Sequence, residues 1–236
     1  MKRREILKSS LAALLGVTFG YAGKANGEEL GCYAPDKKGL FRKNKECFEC
    51  LTQASTAGIF RADKWGGGNT KNGHTHLTYN VSSRDNDFAS DVWDAEIAKS
   101  FDCWTKVTNL SFSQVDSDHN AIDIVIGVSR RRRSGFGRRG GVLAWAQLPS
   151  SPNFDGQLWS MFDSAERWTT EAEESGILFR AVCAHEIGHL LGLGHSRFES
   201  ALMYPYYDAN IETPQEKDDI PRIQKLYGEP LRGEGK

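Results

Sequence analysis

The sequence predicts an α+β domain, and three observations predict it. Apolar residues repeat at every second position in several short segments and at every third or fourth position in three longer ones. Their order is strand, helix, several strands, helix, loop, helix. The 236 residues include 39% hydrophobic and 11% aromatic side chains, enough for one sizeable core with accessories. Three of the six histidines fall within eleven residues at the end of the longest helical pattern. A mean hydropathy of −0.51 excludes a multi-span membrane protein. A formal net charge of −1 implies no general affinity for nucleic acid.

The chain opens on Lys2, Arg3 and Arg4, followed by an apolar run over 11–22 that is too short to span a bilayer. Residues 1–25 therefore read as an export signal, with no stable membrane insertion expected. Arg3-Arg4 ahead of Ile6-Leu7-Lys8 resembles the bacterial twin-arginine pattern. The alternative is an ordinary secretory signal whose arginines only supply charge. Either route places the protein in the periplasm or outside the cell. Without that segment the chain keeps 25 basic and 30 acidic residues, a formal net of −5.

Residues 26–59 form a Cys-containing extension without apolar periodicity, a candidate propeptide. Gly66-Gly67-Gly68-Asn69 reads as a linker. Globular texture runs over 60–229, and 230–236 is a tail. Strands are expected over 77–81, 110–115, 122–128 and 142–148. A helix is expected over 87–107, where Val92, Trp93, Ile97, Phe101 and Trp104 share one face. The longest helix is expected over 169–193. Thr169 or Thr170 would cap it, Glu171, Glu173 and Glu174 suit its positive end, and Gly192 and Gly194 mark its stop. A final helix is expected over 214–227, with Pro221 marking a later start or a kink and Gly228 a stop.

The chemistry concentrates in His185-Glu186-Ile187-Gly188-His189-Leu190-Leu191-Gly192-Leu193-Gly194-His195. Four residues apart on a helix, His185 and His189 lie one turn apart on one face and can share one zinc ion. Glu186 reaches a metal-bound water without being a ligand. Gly192 permits the sharp turn that returns His195 as a third ligand. Three protein ligands leave a position open, which marks a catalytic rather than a structural zinc. The alternative is a buried helix that happens to carry histidines. Five fixed residues at this spacing arise by chance in roughly one of ten thousand such chains, at ~1/20 per position.

This motif resembles the metzincin metallopeptidases, and its surroundings resemble the matrixins, the matrix-metalloproteinase family. Ser196 follows the third histidine, and Ala201-Leu202-Met203-Tyr204-Pro205 is similar to the matrixin Met-turn, with Met203 supporting the site from below. Asp218-Asp219-Ile220 through Leu226-Tyr227-Gly228 resembles the matrixin final helix. Lys64-Trp65, His76-Leu77-Thr78-Tyr79, Phe112 and Ala121-Ile122-Asp123-Ile124 resemble the start and first strands of the catalytic domain. The resemblance implies a twisted, mostly parallel sheet of about five strands with three helices. It also implies a zinc cleft between upper and lower subdomains. It implies an endopeptidase acting on peptides or proteins, with one catalytic zinc on His185, His189 and His195 and Glu186 as general base. Substrate would lie along an edge strand near 141–146. The residue after the cut would enter a pocket between the zinc helix and 205–211, where Tyr206 and Tyr207 are candidate lining residues.

Several positions depart from the family. Trp145 and Met161 stand where two ligands of a structural zinc belong, and Arg130 and Arg132 stand at the other two. No structural zinc is therefore expected. Asp163 and Glu166 match calcium ligands, but Gly137 replaces a third. They are a candidate weak calcium site, weighed against a solvated acidic turn, which is the favoured reading. Six arginines over 130–139 would attract an acidic partner, pair with Asp163 and Glu166, or simply be solvated.

Cys32, in Gly31-Cys32-Tyr33-Ala34-Pro35-Asp36, partly resembles the matrixin latency switch. Cys47 and Cys50 form a CxxC pair, read as a disulfide after export. Cys103 and Cys183 read as core thiols. The expected protein is an exported, monomeric zinc endopeptidase. Two rivals are a zinc-containing binding or adhesion module without catalysis, and a cell-wall peptide hydrolase.

Overall fold

A computed structural model describes residues 64–65, 70–119, 121–130, 136–149, 156–172 and 176–231. The proposed signal, the extension with Cys32, Cys47 and Cys50, and Arg131 to Arg133 lie outside these. Eight strands and three helices follow in the order β1 (Thr70–Lys71), β2 (His74–Val81), α1 (Ser90–Thr105), β3 (Leu110–Gln114), β4 (Ile124–Ser129), β5 (Ala144–Ala146), β6 (Leu158–Asp163), β7 (Trp168–Thr169), β8 (Ile177–Leu178), α2 (Phe179–Leu190) and α3 (Asp219–Tyr227).

Strands β3, β2, β4 and β6 run parallel, and β5 closes the sheet antiparallel to β6. The two-residue β1 adds an antiparallel pairing to the start of β2. The expected mostly parallel sheet is therefore present. β2 alternates, with Thr75, Leu77, Tyr79 and Val81 buried. α1 buries Trp93, Ile97, Phe101 and Trp104 at three- and four-residue steps. α2 packs on α1 and against β5 and β6. Between helix and sheet, Phe179 stacks its edges on Trp93, Phe162 and Trp168 at centroid distances of 4.4, 4.9 and 5.5 Å. Burying one such ring contributes about 2–3 kcal/mol.

Three expectations need correction. The long helix does not begin at Thr169. Trp168 and Thr169 form β7, which pairs in parallel with β8, and the helix starts at Phe179. The side chain of Thr169 fills the space where a Cβ on Gly176 would sit, only 2.2 Å from its Cγ2, so the two segments close on each other instead of coiling. Thr169 caps nothing, and its hydroxyl donates to the Glu171 carbonyl at 2.6 Å. The final helix begins at Asp219, so Pro221 falls in its first turn, where a missing N–H costs little. β6 was not anticipated, although it is central to the sheet. Its inward set is Leu158, Ser160 and Phe162, and the polar Ser160 breaks the apolar alternation.

Candidate metal centre

α2 carries His185 and His189 on one face, and its last turn ends at Leu191. Gly192 follows at φ 101°, the left-handed region that glycine tolerates, and reverses the chain toward His195. The structure brings the three histidines together, with one ligand atom from each lying within 4.8 Å of the others. His189 Nδ1 donates to the carbonyl of Leu193 at 2.7 Å, and His185 Nδ1 donates to the carbonyl of Leu202 at 2.7 Å. A carbonyl only accepts, so both Nδ1 atoms carry the hydrogen and both Nε2 atoms hold lone pairs in the neutral rings. Those two Nε2 atoms face each other at 3.1 Å. Two lone pairs at this distance call for a cation, and three imidazoles suit zinc. Burial pushes the His185 and His195 imidazoles down to about 4 and about 3 and His189 well below its usual value, so all three stay neutral.

Five residues support this arrangement. Asp219, fully buried, accepts the backbone N–H groups of Leu202 at 2.7 Å, Met203 at 3.2 Å and Gln215 at 2.9 Å. It thereby fixes the turn whose Leu202 carbonyl orients His185. Met203 packs under α2, where a Cβ on Gly188 would lie 2.3 Å from its sulfur and 2.8 Å from the Trp104 ring. The Trp104 indole donates to Ala184 O at 2.9 Å, and the Trp65 indole donates to Leu190 O at 2.8 Å. Tyr227 donates its hydroxyl to Leu191 O at 2.9 Å, so the exposed carbonyls at the end of α2 are occupied. The sequence named Met203, Trp65 and Asp219 only through resemblance. The Gly188 contact and the two orienting carbonyls carry no local signal.

Glu186 is buried beside His185. Its Oε2 has no hydrogen-bond partner among the described residues, and burial pushes its carboxyl up to about 8. A cleft opens beside it. Val142, Leu143 and Ala144 form one side, Ala181 and Val182 of α2 the floor, and Pro205, Tyr206, Tyr207 and Ile211 the other wall. Both candidate tyrosines thus line the pocket.

The second metal region differs. Trp145 and Met161 are cross-strand partners of β5 and β6. Among the described residues, no group of three possible ligands gathers outside the histidine triad. Asp163 and Glu166 do not form a solvated turn, because they are 0% and 4% exposed. Asp163 accepts N–H groups from Gly137 at 2.7 Å and Ala165 at 2.9 Å. Glu166 accepts those of Gly140 at 2.7 Å and Gly141 at 3.2 Å. Arg130 donates to Ser164 at 3.1 Å instead, and among the described residues no arginine forms an ion pair with either carboxylate. The backbone satisfies them, because the glycine-rich loop can turn its amides inward. Cys103 and Cys183 are buried free thiols, as expected.

A mixed sheet, a helix carrying two histidines and a reversed chain returning a third define a zinc-metallopeptidase type of domain. The chain belongs to the matrixin family, whose match covers residues 70–228. It is 40% identical over 164 residues to stromelysin-1 of Equus caballus, covering 66% of this chain and 32% of that protein. It is 39% identical over 164 residues to interstitial collagenase of Sus scrofa, covering 68% and 34%. A hatching enzyme of Paracentrotus lividus is 38% identical over 156 residues, covering 64% and 25%. The chain thus spans about a third of the length of the first two relatives. Among the described residues no helix is long and apolar enough to cross a membrane.

Proposed function

We propose that this chain is an exported zinc-dependent endopeptidase, in which His185, His189 and His195 hold one catalytic zinc and Glu186 is the general base. The observation that carries it is the pair of carbonyl-fixed imidazoles whose Nε2 lone pairs meet at 3.1 Å. Bound there, zinc supplies an acidified water near pH 7 and a Lewis acid for the scissile carbonyl. With the cation's charge offsetting its burial, Glu186, whose Oε2 is unpartnered on the same helix, would serve as the general base and would pass the proton to the leaving amine nitrogen. Met203 supports the histidine floor through its contact with Gly188. An extended peptide would pair with β5, the edge strand of the sheet among the described residues, and its residue after the cut would enter the apolar pocket walled by Tyr206 and Tyr207.

In this reading residues 1–25 are a twin-arginine-type signal leading to the periplasm or beyond. Residues 26–59 are a propeptide-like extension that carries Cys32 as a latency switch, and 60–229 are the catalytic domain of a monomer. Only one zinc is held, because Trp145, Met161, Arg130 and Arg132 offer no usual ligand atoms. Calcium is not required, because Asp163 and Glu166 are already satisfied by backbone amides.

The test is metal content by mass spectrometry together with cleavage of a quenched peptide library, with and without chelator. About one zinc per chain and chelator-sensitive cleavage are expected. Glu186→Gln should keep the zinc and lose roughly 10²–10⁴-fold in turnover. Zinc without cleavage, in the intact chain and in one trimmed to residue 60, would favour a binding module instead. Two zincs per chain would overturn the loss of the structural site.

A further inference from the structure

The wall of the pocket beside the metal centre is a loop between Met203 and α3 that has no helix or strand of its own. Besides its own turns, such as the Ile211 N–H to Asp208 carbonyl bond at 3.0 Å, it is held by outside contacts, and two of these lie at the entry of α2. The Leu178 N–H donates to the Tyr207 hydroxyl at 2.7 Å, in the buried interior. Arg180 reaches Glu212, next to the lining residue Ile211, through Nε at 2.8 Å and Nη2 at 2.6 Å. The third arm of the same guanidinium, Nη1, lies 2.5 Å from Glu96 Oε2 on α1, a carboxylate only 4% exposed. Lys99 holds the other Glu96 oxygen at 2.7 Å. Arg180 also directly precedes Ala181 and Val182, which floor the pocket. Floor and wall are thus tied through one rigid planar fork.

We propose that Arg180 and Glu212 are positioning residues that set which side chain the pocket accepts after the scissile bond. The pair fixes the distance between wall and floor, and with it the size of the apolar side chain that the pocket discriminates. This deepens the peptidase reading and rests on it. Arg180 touches no reacting atom. A wall held to a set spacing keeps its discrimination between side chains, whereas a loose wall closes on small residues and yields to large ones, and the ratio between them falls.

Glu212→Ala is the informative variant, because it leaves Arg180 in place to neutralise the buried Glu96. Its kcat/KM is measured on peptides differing only in Ala, Leu or Phe after the cut, alongside Glu212→Gln, which keeps an acceptor for the guanidinium. In parallel, peptide hydroxamates carrying the same three side chains report pocket affinity without turnover. The expected result is an about tenfold collapse of the Phe-to-Ala ratio in both measurements, with zinc content and the Ala peptide within about twofold of the parent, and partial recovery in Glu212→Gln. A uniform fall across all three side chains, or an unchanged ratio, would overturn the proposal. If the parent cleaves nothing but the hydroxamate ratio still collapses, the anchoring holds and the peptidase reading fails.

Discussion

Two parts of this molecule use buried carboxylates to hold loops, and they do so to different ends. Asp219 gathers the N–H groups of Leu202, Met203 and Gln215, and the turn it fixes presents a carbonyl to His185. Asp163 and Glu166 gather the N–H groups of Gly137, Ala165, Gly140 and Gly141, and the loop they fix presents nothing to a metal. In the first region the hydrogen bonds end on a side chain with a lone pair to give. In the second they close on themselves. A buried carboxylate can therefore brace either a turn that orients a histidine or only its own loop, provided glycines let the backbone amides turn inward.

The comparison breaks most visibly at Asp219. Replacing it with alanine leaves two buried N–H groups and one part-buried N–H group without an acceptor, a cost of about 3 kcal/mol. The thermal midpoint should fall by roughly 10 °C, and zinc affinity should fall with it, because His185 loses its oriented carbonyl. Asp219→Asn, which keeps one acceptor oxygen, should lie between the two. A midpoint loss with zinc affinity unchanged would show that the turn holds the fold but not the histidine.

The second region should respond to pH. Burial pushes the Glu166 carboxyl up from 4.5 to about 7, against the pull of the Gly140 and Gly141 amides. Between those values the folded chain holds a proton that the unfolded chain releases, so stability falls as pH rises through that window. The loss is on the order of 2 kcal/mol. Urea unfolding at pH 5 and pH 8 checks it. The parent should lose more stability over that interval than Glu166→Gln, which cannot titrate, and metal-linked changes common to both cancel. Parallel behaviour of the two proteins would place the carboxylate in a wetter setting than its burial implies.

The same contrast explains what the sequence could reveal. The histidine triad is legible because a helix turns a four-residue spacing into a shared face, and Gly192 announces the return to His195. α1 and β2 are legible because each has one buried face and a clean period. The start of α2 is not. Thr169 and its acidic followers look like a helix entry, and only the distant pairing of Trp168 and Thr169 with Ile177 and Leu178 overrides them. β6 stays hidden because Ser160 interrupts its inward set. The carboxylates at Asp163 and Glu166 look like a solvated turn, since sequence cannot show which amides will reach them. Local periodicity is readable, and long-range satisfaction of polar groups is not.

The smallest effect is expected at one of two indoles. The Trp104 N–H donates to Ala184 on α2 at 2.9 Å, whereas the buried Trp145 N–H, beside Met161, has no partner among the described residues. Trp104→Phe removes a made hydrogen bond and part of a fully buried ring, and should cost about 2–3 kcal/mol. Trp145→Phe removes a donor that is already desolvated and unpaired. That relief offsets the lost ring area, so its stability should stay within ~1 kcal/mol of the parent, on either side. Urea midpoints of the two variants decide it. A Trp145 cost as large as that of Trp104 would mean that its N–H is bonded in solution. The β5–β6 face would then be as tightly specified as α2, by a hydrogen bond as well as by apolar packing.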